Sequence, residues 1–338
     1  MRVRVGINGM GRIGRDVLRC VIDRAEPEFE IVAVNDLAPG ATIAHLLRHD
    51  STYGRWPHRV EVGEGYLEVG AHAVRTLTEP DPSRLDWAQL GVQVVVEATG
   101  RFRAREAAAG HLSAGARKVV LTAPGSHADT TIVMGINQDI YEPTRDAIIS
   151  NASCTTNCAA PMARVLHDAF GIEEGLLTTV HSYTGDQNLL DAPHKDLRRA
   201  RSAALNIIPT STGAARAIGE VLPELAGRLD GVALRVPVPD VSLVDLTVRL
   251  AERATANQIN RAFNTAASGP LKNIVRVTTE PVVSQDVVGE SASCLLDAGL
   301  TQIVGRTAKI FGWYDNERGY SHRTVDLLGL VARTLPAH

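Results

Sequence analysis

Apolar positions in the first third of the chain change period in a regular order. Residues 3–7 read as a mainly apolar strand, Ile13, Val17, Leu18, Val21 and Ile22 share one face at helical spacing, and residues 30–34 read as a second strand. The order predicts strand, amphipathic helix, strand. Residues 92–96 are apolar on both faces, an Ala-rich helical stretch follows, and residues 118–121 predict another buried strand. Such strands separated by helices predict a parallel sheet. Between them, Ala44, Leu46 and Leu47 suggest a short helix, and residues 60–69 predict an antiparallel hairpin around Gly63 and Gly65. Trp56 and Trp87 are assigned to packing.

Beyond residue 150 the pattern changes. Ala159, Met162, Val165 and Leu166 mark a helix preceded by polar capping residues, and Pro161 is expected to kink it or delay its start. Residues 176–183 alternate as a strand that delivers His181 near its end. A charged loop, residues 184–204, is long enough to predict a functional or interface role. Thr210, Ser211, Thr212 and Gly213 read as the start of another helix. Residues 232–250 are strand-rich, with Arg235 among apolar neighbours, and Val325, Leu327, Leu328 and Val331 lie on a terminal amphipathic helix. The chain carries no internal repeat. The expected fold class is α/β: a parallel-sheet domain plus an α+β domain with a large mixed or antiparallel sheet.

A length of 338 residues suits two domains, each able to bury its own core. Apolar residues at 44% and charged residues at 22% describe an ordinary globular chain with no apolar run long enough to span a membrane. Arg2 and Arg4 lead straight into a strand rather than a signal-peptide core, so the expected location is the cytoplasm. A net charge of -3 gives no general attraction to nucleic acid or anionic membranes. Four cysteines without framework spacing argue against a disulfide-built fold, and no Cys/His cluster has metal-ligand spacing, so no metal is expected.

Two stretches carry chemistry. Gly9, Gly11 and Gly14 between the first strand and helix fit G-x-G-x-x-G, a turn that brings backbone amides up to a pyrophosphate at the helix N-terminus. Asp36 follows at the end of the second strand, where an acid holds the adenosine ribose hydroxyls. Thr99, Gly100, Thr122 and Ala123 fall at strand C-terminal ends, the ligand-binding edge of an open α/β sheet. The second stretch is Ser150-Asn151-Ala152-Ser153-Cys154-Thr155-Thr156-Asn157-Cys158, which puts the Cys154 thiol at a helix start. There the unpaired amides and the macrodipole are expected to lower its pKa and hold a thiolate ready.

Over essentially its whole length the chain resembles phosphorylating glyceraldehyde-3-phosphate dehydrogenases of the bacterial type. The resemblance rests on residues 8–14, 150–158, 178–181, 206–215, 235–237 and 314–317. It implies a Rossmann-type NAD-binding domain, residues 1–153, completed by a C-terminal helix, residues 318–338. It also implies a catalytic and tetramerisation domain, residues 154–317, and a homotetramer with the 184–204 loop at a subunit interface. The implied nucleophile is Cys154 and the implied base His181. NAD contacts are implied for Gly9, Gly11, Arg12, Ile13, Gly14, Asp36, Thr99, Gly100, Thr122, Asn316 and Tyr320. Thr184 and Arg235 are implied to hold the substrate phosphate, and Ser153, Thr155, Arg201, Thr212 and Gly213 the inorganic phosphate. The implied reaction oxidises glyceraldehyde 3-phosphate to 1,3-bisphosphoglycerate through a Cys154 thiohemiacetal and thioester.

The sequence departs from the family pattern at Pro80, Ala98 and Arg318, and at Ala192, where loss of a bulky residue leaves room for a ribose 2′-phosphate. Three other readings share the motifs: an erythrose-4-phosphate dehydrogenase, an isozyme insensitive to inhibitors that alkylate Cys154, and a silent NAD-binding protein. The first departs at residues 182–186 and 210–213, and joint retention of Cys154, His181, Thr184 and Arg235 speaks against the last.

Overall fold

The computed structural model describes residues 2–24 and 28–335. They divide into two compact units. One takes in the described residues up to Ile132, Asp139–Ala152 and those from Ser321 onward; the other takes in Val133–Gln138 and Ser153–Tyr320.

The first unit is built on a nine-stranded sheet. Seven strands run parallel in the order Thr130–Thr131, Ile148–Ser150, Lys118–Leu121, Val94–Glu97, Val3–Asn8, Phe29–Asn35 and His72–Leu77. Tyr66–Val69 and Val60–Gly63 extend it antiparallel. The hairpin stands where alternation predicts it. His72–Leu77, which joins it to the parallel strands, carries no strand signal in the sequence, because only Val74 in it is buried. Val5 and Ile7 lie buried in the central strand, and Asn8 ends it in register with Asn35 on one side and Glu97 on the other. The chain order reverses at that point, which opens a crevice beyond the strand ends. Trp87 is fully buried and Trp56 nearly so.

The second unit carries an eight-stranded mixed sheet. Ile172–Ser182 lies between a parallel neighbour, Leu229–Val236, and an antiparallel one, Ser242–Leu250. Alternation buries Leu177, Thr179 and His181 on one face, toward the Cys154–Phe170 helix, and turns Leu176, Thr178 and Val180 to the other. His181 and Arg235 stand side by side in the parallel register.

Two expectations change here. The helix runs unbroken from Cys154 to Phe170 through Pro161, so the proline neither ends nor delays it. Its ring nitrogen carries no hydrogen to donate within the helix, and the helix continues past it. Thr210 and Ser211 belong to the strand Ile208–Ser211, paired with Ala233 and Val232, and the following helix begins at Ala214 with Gly213 as its N-cap. The terminal helix spans Arg318–Thr334; positions 336–338 of the expected span lie outside the described residues. No described helix is long and apolar enough to cross a membrane.

Candidate active site

In the first unit, the glycine turn closes over the end of the Val3–Asn8 strand. Gly9 has φ +96, and a Cβ there would lie 2.7 Å from the Thr99 amide nitrogen, so only glycine fits. A Cβ on Gly14 would overlap the Gly9 carbonyl oxygen, whereas Gly11 faces open space. Helix and strand therefore approach closely, and the Gly11 backbone stays accessible at the start of the Arg12–Asp23 helix.

A crevice of about 260 Å³ opens here, lined among others by Gly9, Gly11, Asp36, Leu37, Thr99 and Phe102. The Asp36 carboxylate accepts from the Met10 amide at 2.7 Å and the Ala38 amide at 2.9 Å, which fixes its direction. Glu97 braces the opposite wall: it accepts from Asn8 Nδ2 at 2.6 Å and from both the amide and hydroxyl of Thr99. Gly100 is exposed, Ile13 is half-buried, and the Thr122 hydroxyl donates to the Glu97 carbonyl at 3.0 Å. Arg12 directs its guanidinium to Asp50 at 2.9 Å, which leaves its backbone as the group near the turn. The glycine cradle and the oriented acid fit a dinucleotide.

In the second unit, Ser153 caps the Cys154–Phe170 helix and accepts from the Thr156 amide at 3.0 Å. The cap places Cys154 at the first helical position, its Sγ 3.4 Å from His181 Nε2. On the far side of the ring, His181 Nδ1 lies 2.7 Å from the Ser182 carbonyl oxygen and 2.8 Å from Arg235 Nη1, which donates to the same carbonyl at 2.8 Å. When Nδ1–H donates to that carbonyl, Nε2 presents its lone pair to the thiol, as a base must.

The resting charge state differs from the sequence expectation. Burial pushes the Cys154 thiol up, against the opposing pull of Arg235 and Thr155. Burial, with the Arg235 cation adding to it, lowers His181 to about 3. The pair therefore rests as thiol and neutral imidazole, because desolvation outweighs the helix terminus.

Tyr314, the first residue of the 314–317 stretch, is deeply buried and acts on the pair without an expectation from the sequence. Its hydroxyl bridges Thr155 Oγ1 and Thr179 Oγ1, both at 2.9 Å, and its ring meets His181 edge-on with centroids 6.0 Å apart. Strand alternation signals it, since Ala308, Ile310, Gly312 and Tyr314 share the buried face.

A set of anion donors lies beside the pair. Asp186 accepts from the Thr184 hydroxyl and from Arg199 Nη1 at 2.6 Å, and Arg235 also acts on its charge. Arg235 Nε is buried without a partner. Arg201, expected in the phosphate site, is not brought here: it pairs with Asp191 at 2.8 Å and is 63% exposed. Arg199 is the inward-facing cation, at 3.0 Å from Thr210 Oγ1. The hydroxyls of Ser153 and Thr155 are engaged by Thr156 and Tyr314, and Thr212 Oγ1 accepts from the Ala214 amide at 3.2 Å beside exposed Gly213. Asn316 is buried and its carbonyl accepts from Ser182 and Ser242 at 2.9 and 2.7 Å, which leaves its amide hydrogens as donors; Tyr320 is buried. Among the described residues, no group of three or more His, Cys, Asp and Glu side chains could hold a metal ion.

The family described as glyceraldehyde 3-phosphate dehydrogenase, NAD binding domain, matches residues 3–105, and its C-terminal domain matches residues 153–316. The chain is 56% identical over 335 residues to glyceraldehyde-3-phosphate dehydrogenase 1 of Streptomyces avermitilis, covering 99% of this chain and 100% of that one. It is 54% identical to glyceraldehyde-3-phosphate dehydrogenase of Geobacillus stearothermophilus, covering 98% and 99%, and 54% identical to that of Mycolicibacterium smegmatis, covering 99% and 100%. The NAD-binding and C-terminal domains together place this chain in the glyceraldehyde-3-phosphate dehydrogenase family.

Proposed function

We propose that this chain oxidises glyceraldehyde 3-phosphate to 1,3-bisphosphoglycerate, with NAD and inorganic phosphate as co-substrates. The observation that carries the reading is the thiol–imidazole pair at 3.4 Å flanked by donors already holding a carboxylate, that of Asp186. Hydroxyl and guanidinium donors that hold one anion suit a phosphate.

Gly9, Gly11 and Gly14 with Arg12 and Ile13 would hold the pyrophosphate, Asp36 the adenosine ribose, Thr99, Gly100 and Thr122 the crevice wall, and Asn316 and Tyr320 the nicotinamide. NAD supplies the acceptor for the hydride. Thr184 and Arg235 bind the substrate phosphate, joined by Arg199 as Asp186 gives way. The dianion also offsets the guanidinium charge that depresses His181, so substrate binding strengthens the base. Cys154 sulfur attacks the aldehyde carbon while its proton passes by way of His181 to the aldehyde oxygen, and His181 then takes that hydroxyl proton of the thiohemiacetal when hydride departs. The Cys154 amide and His181 then stabilise the oxyanion while phosphate, held by Ser153, Thr155, Thr212 and Gly213, displaces the thioester sulfur.

The reading includes a homotetramer in the cytoplasm, where NAD and phosphate are available. Leu189, Leu190, Leu197 and Leu205 in and beside the long loop are each more than 70% exposed, and Leu176 is 66% exposed on the open sheet face, surfaces that suit further copies of the chain. Initial rates with both aldehydes test the substrate. Higher kcat/KM for glyceraldehyde 3-phosphate than for erythrose 4-phosphate is expected; the reverse order overturns the assignment.

A further inference from the structure

Three sulfur atoms converge in the core behind the nucleophile, and the reaction uses none of them. Cys158 lies one helical turn beyond Cys154 and is fully buried, its Sγ 3.9 Å from Met162 Sδ and 3.6 Å from the Gly312 carbonyl oxygen. Cys294, also fully buried, begins the strand Cys294–Asp297, and its thiol faces the same space beside Gly312 as that of Cys158. Gly312 makes the space. A Cβ there would lie 2.5 Å from Met162 Sδ, 2.9 Å from Cys294 Sγ and 3.2 Å from Cys158 Sγ. All four cysteines are free thiols.

We propose that Cys158 and Cys294 form a resolving dithiol that takes oxidation off Cys154 and stores it as a buried Cys158–Cys294 disulfide. The proposal rests on Cys154 being the nucleophile of the reaction above. The oxidant is a hydroperoxide. Cys154 attacks its terminal oxygen, the O–O bond breaks, and Cys154 sulfenic acid and water form in the case of hydrogen peroxide. Cys158 sulfur then attacks the Cys154 sulfur, its proton and the sulfenic hydroxyl leaving as a second water, to give Cys154–Cys158. Cys294 attacks the Cys158 sulfur of that bond, forms Cys158–Cys294, and passes its proton to the departing Cys154 thiolate. Two electrons have gone to peroxide, and the catalytic thiol is restored.

The geometry favours each transfer. Cys154 is only partly buried whereas Cys158 and Cys294 are fully buried, so peroxide meets Cys154 first, and the buried pair is shielded from solvent oxidants. Cys154 and Cys158 stand one turn apart at the N-terminal end of their helix, so joining them requires opening only the first helical turn, the end from which a helix frays. In the last step Cys154 is the better leaving group, because Arg235 and the Thr155 amide lower its pKa against burial while the Cys158 thiol is pushed well up.

The test treats the full-length protein with one equivalent of hydrogen peroxide per chain, removes the excess, and follows NADH formation and non-reduced peptides over time. Activity is expected to fall and then largely return without added reductant, as Cys154 becomes alkylatable again and a Cys158–Cys294 cross-linked peptide accumulates. Cys294→Ser and Cys294→Val, first checked for unaltered kcat/KM, are expected to stay inactive until dithiothreitol is added. Recovery in these variants equal to that of the parent, or recovery of the parent with no such cross-link, overturns the relay. If peroxide leaves both activity and Cys154 untouched, the nucleophile assignment falls with it.

Discussion

Replacing Arg235 by Leu separates phosphate binding from the tuning of the catalytic pair. Arg235 Nη1 already contacts the Ser182 carbonyl and His181 Nδ1, each at 2.8 Å, while Nε is buried without a partner. In the proposed complex the guanidinium gives the substrate phosphate charge-assisted hydrogen bonds, each worth about 1.5–3 kcal/mol. Losing two costs about 4 kcal/mol, so kcat/KM for glyceraldehyde 3-phosphate falls about a thousandfold. Glyceraldehyde itself has no phosphate to lose, and its kcat/KM changes by less than about tenfold. The same substitution removes a cation that opposes the burial-driven rise of the Cys154 thiol, so the thiol pKa climbs further and the thiolate fraction at neutral pH drops. Cys154 alkylation by iodoacetamide should slow at pH 7 and its profile should move to higher pH. His181, relieved of the cation that adds to its burial, should titrate at higher pH than the parent's value of about 3. Arg235→Lys should restore the alkylation profile but only part of the phosphate effect, since it lacks the planar fork. Equal losses on both aldehydes, or an unmoved alkylation profile, would refute this reasoning.

Other outcomes follow from the same contacts. Burial would raise the Asp50 carboxyl, but the Thr52 amide and the Arg12 guanidinium hold it at about 2, with Arg19 also 3.1 Å away. Its stabilisation of about 2 kcal/mol is complete above about pH 4 and disappears as pH falls through about 2. Asp50→Asn should therefore lower the melting temperature by several degrees at pH 7, with the gap to the parent closing below about pH 4; a gap that stays constant with pH would count against the ion pair. Gly14→Ala places a methyl group into the Gly9 carbonyl oxygen and should weaken NAD binding at least about tenfold by calorimetry. Unchanged affinity would remove the glycine turn from the cofactor site. Asp36 should give NAD at least about a tenfold higher kcat/KM than NADP, since a carboxylate repels a 2′-phosphate; an NADP preference would mean that the space left at Ala192 decides the choice.

Elements with a strong local period were legible in the sequence. Residues 118–121 form the strand predicted, the 60–69 hairpin pairs as expected, and the 176–183 alternation delivers His181, although the strand begins earlier, at Ile172. What the sequence misplaced depends on distant partners. Thr210 and Ser211 look like a helix cap but pair with Ala233 and Val232, so tertiary pairing overrides a local capping signal. Arg199 and Arg201 sit in a loop without periodicity, and nothing local tells which one turns inward. The helix start at Cys154 was legible, but the burial that keeps its thiol protonated is a property of the packed site. Gly312, which makes room for the sulfur cluster, acquires meaning only once the Cys154–Phe170 helix lies across its strand.

The central claim is that Cys154 forms a thioester which inorganic phosphate must cleave. Mixing the enzyme with NAD and glyceraldehyde 3-phosphate without phosphate, and recording NADH formation on the millisecond scale, tests it directly. The account predicts a burst approaching one NADH per Cys154, arrest until phosphate is added, and no burst in Cys154→Ser. Full steady-state turnover without phosphate, or a burst that survives Cys154→Ser, would contradict it.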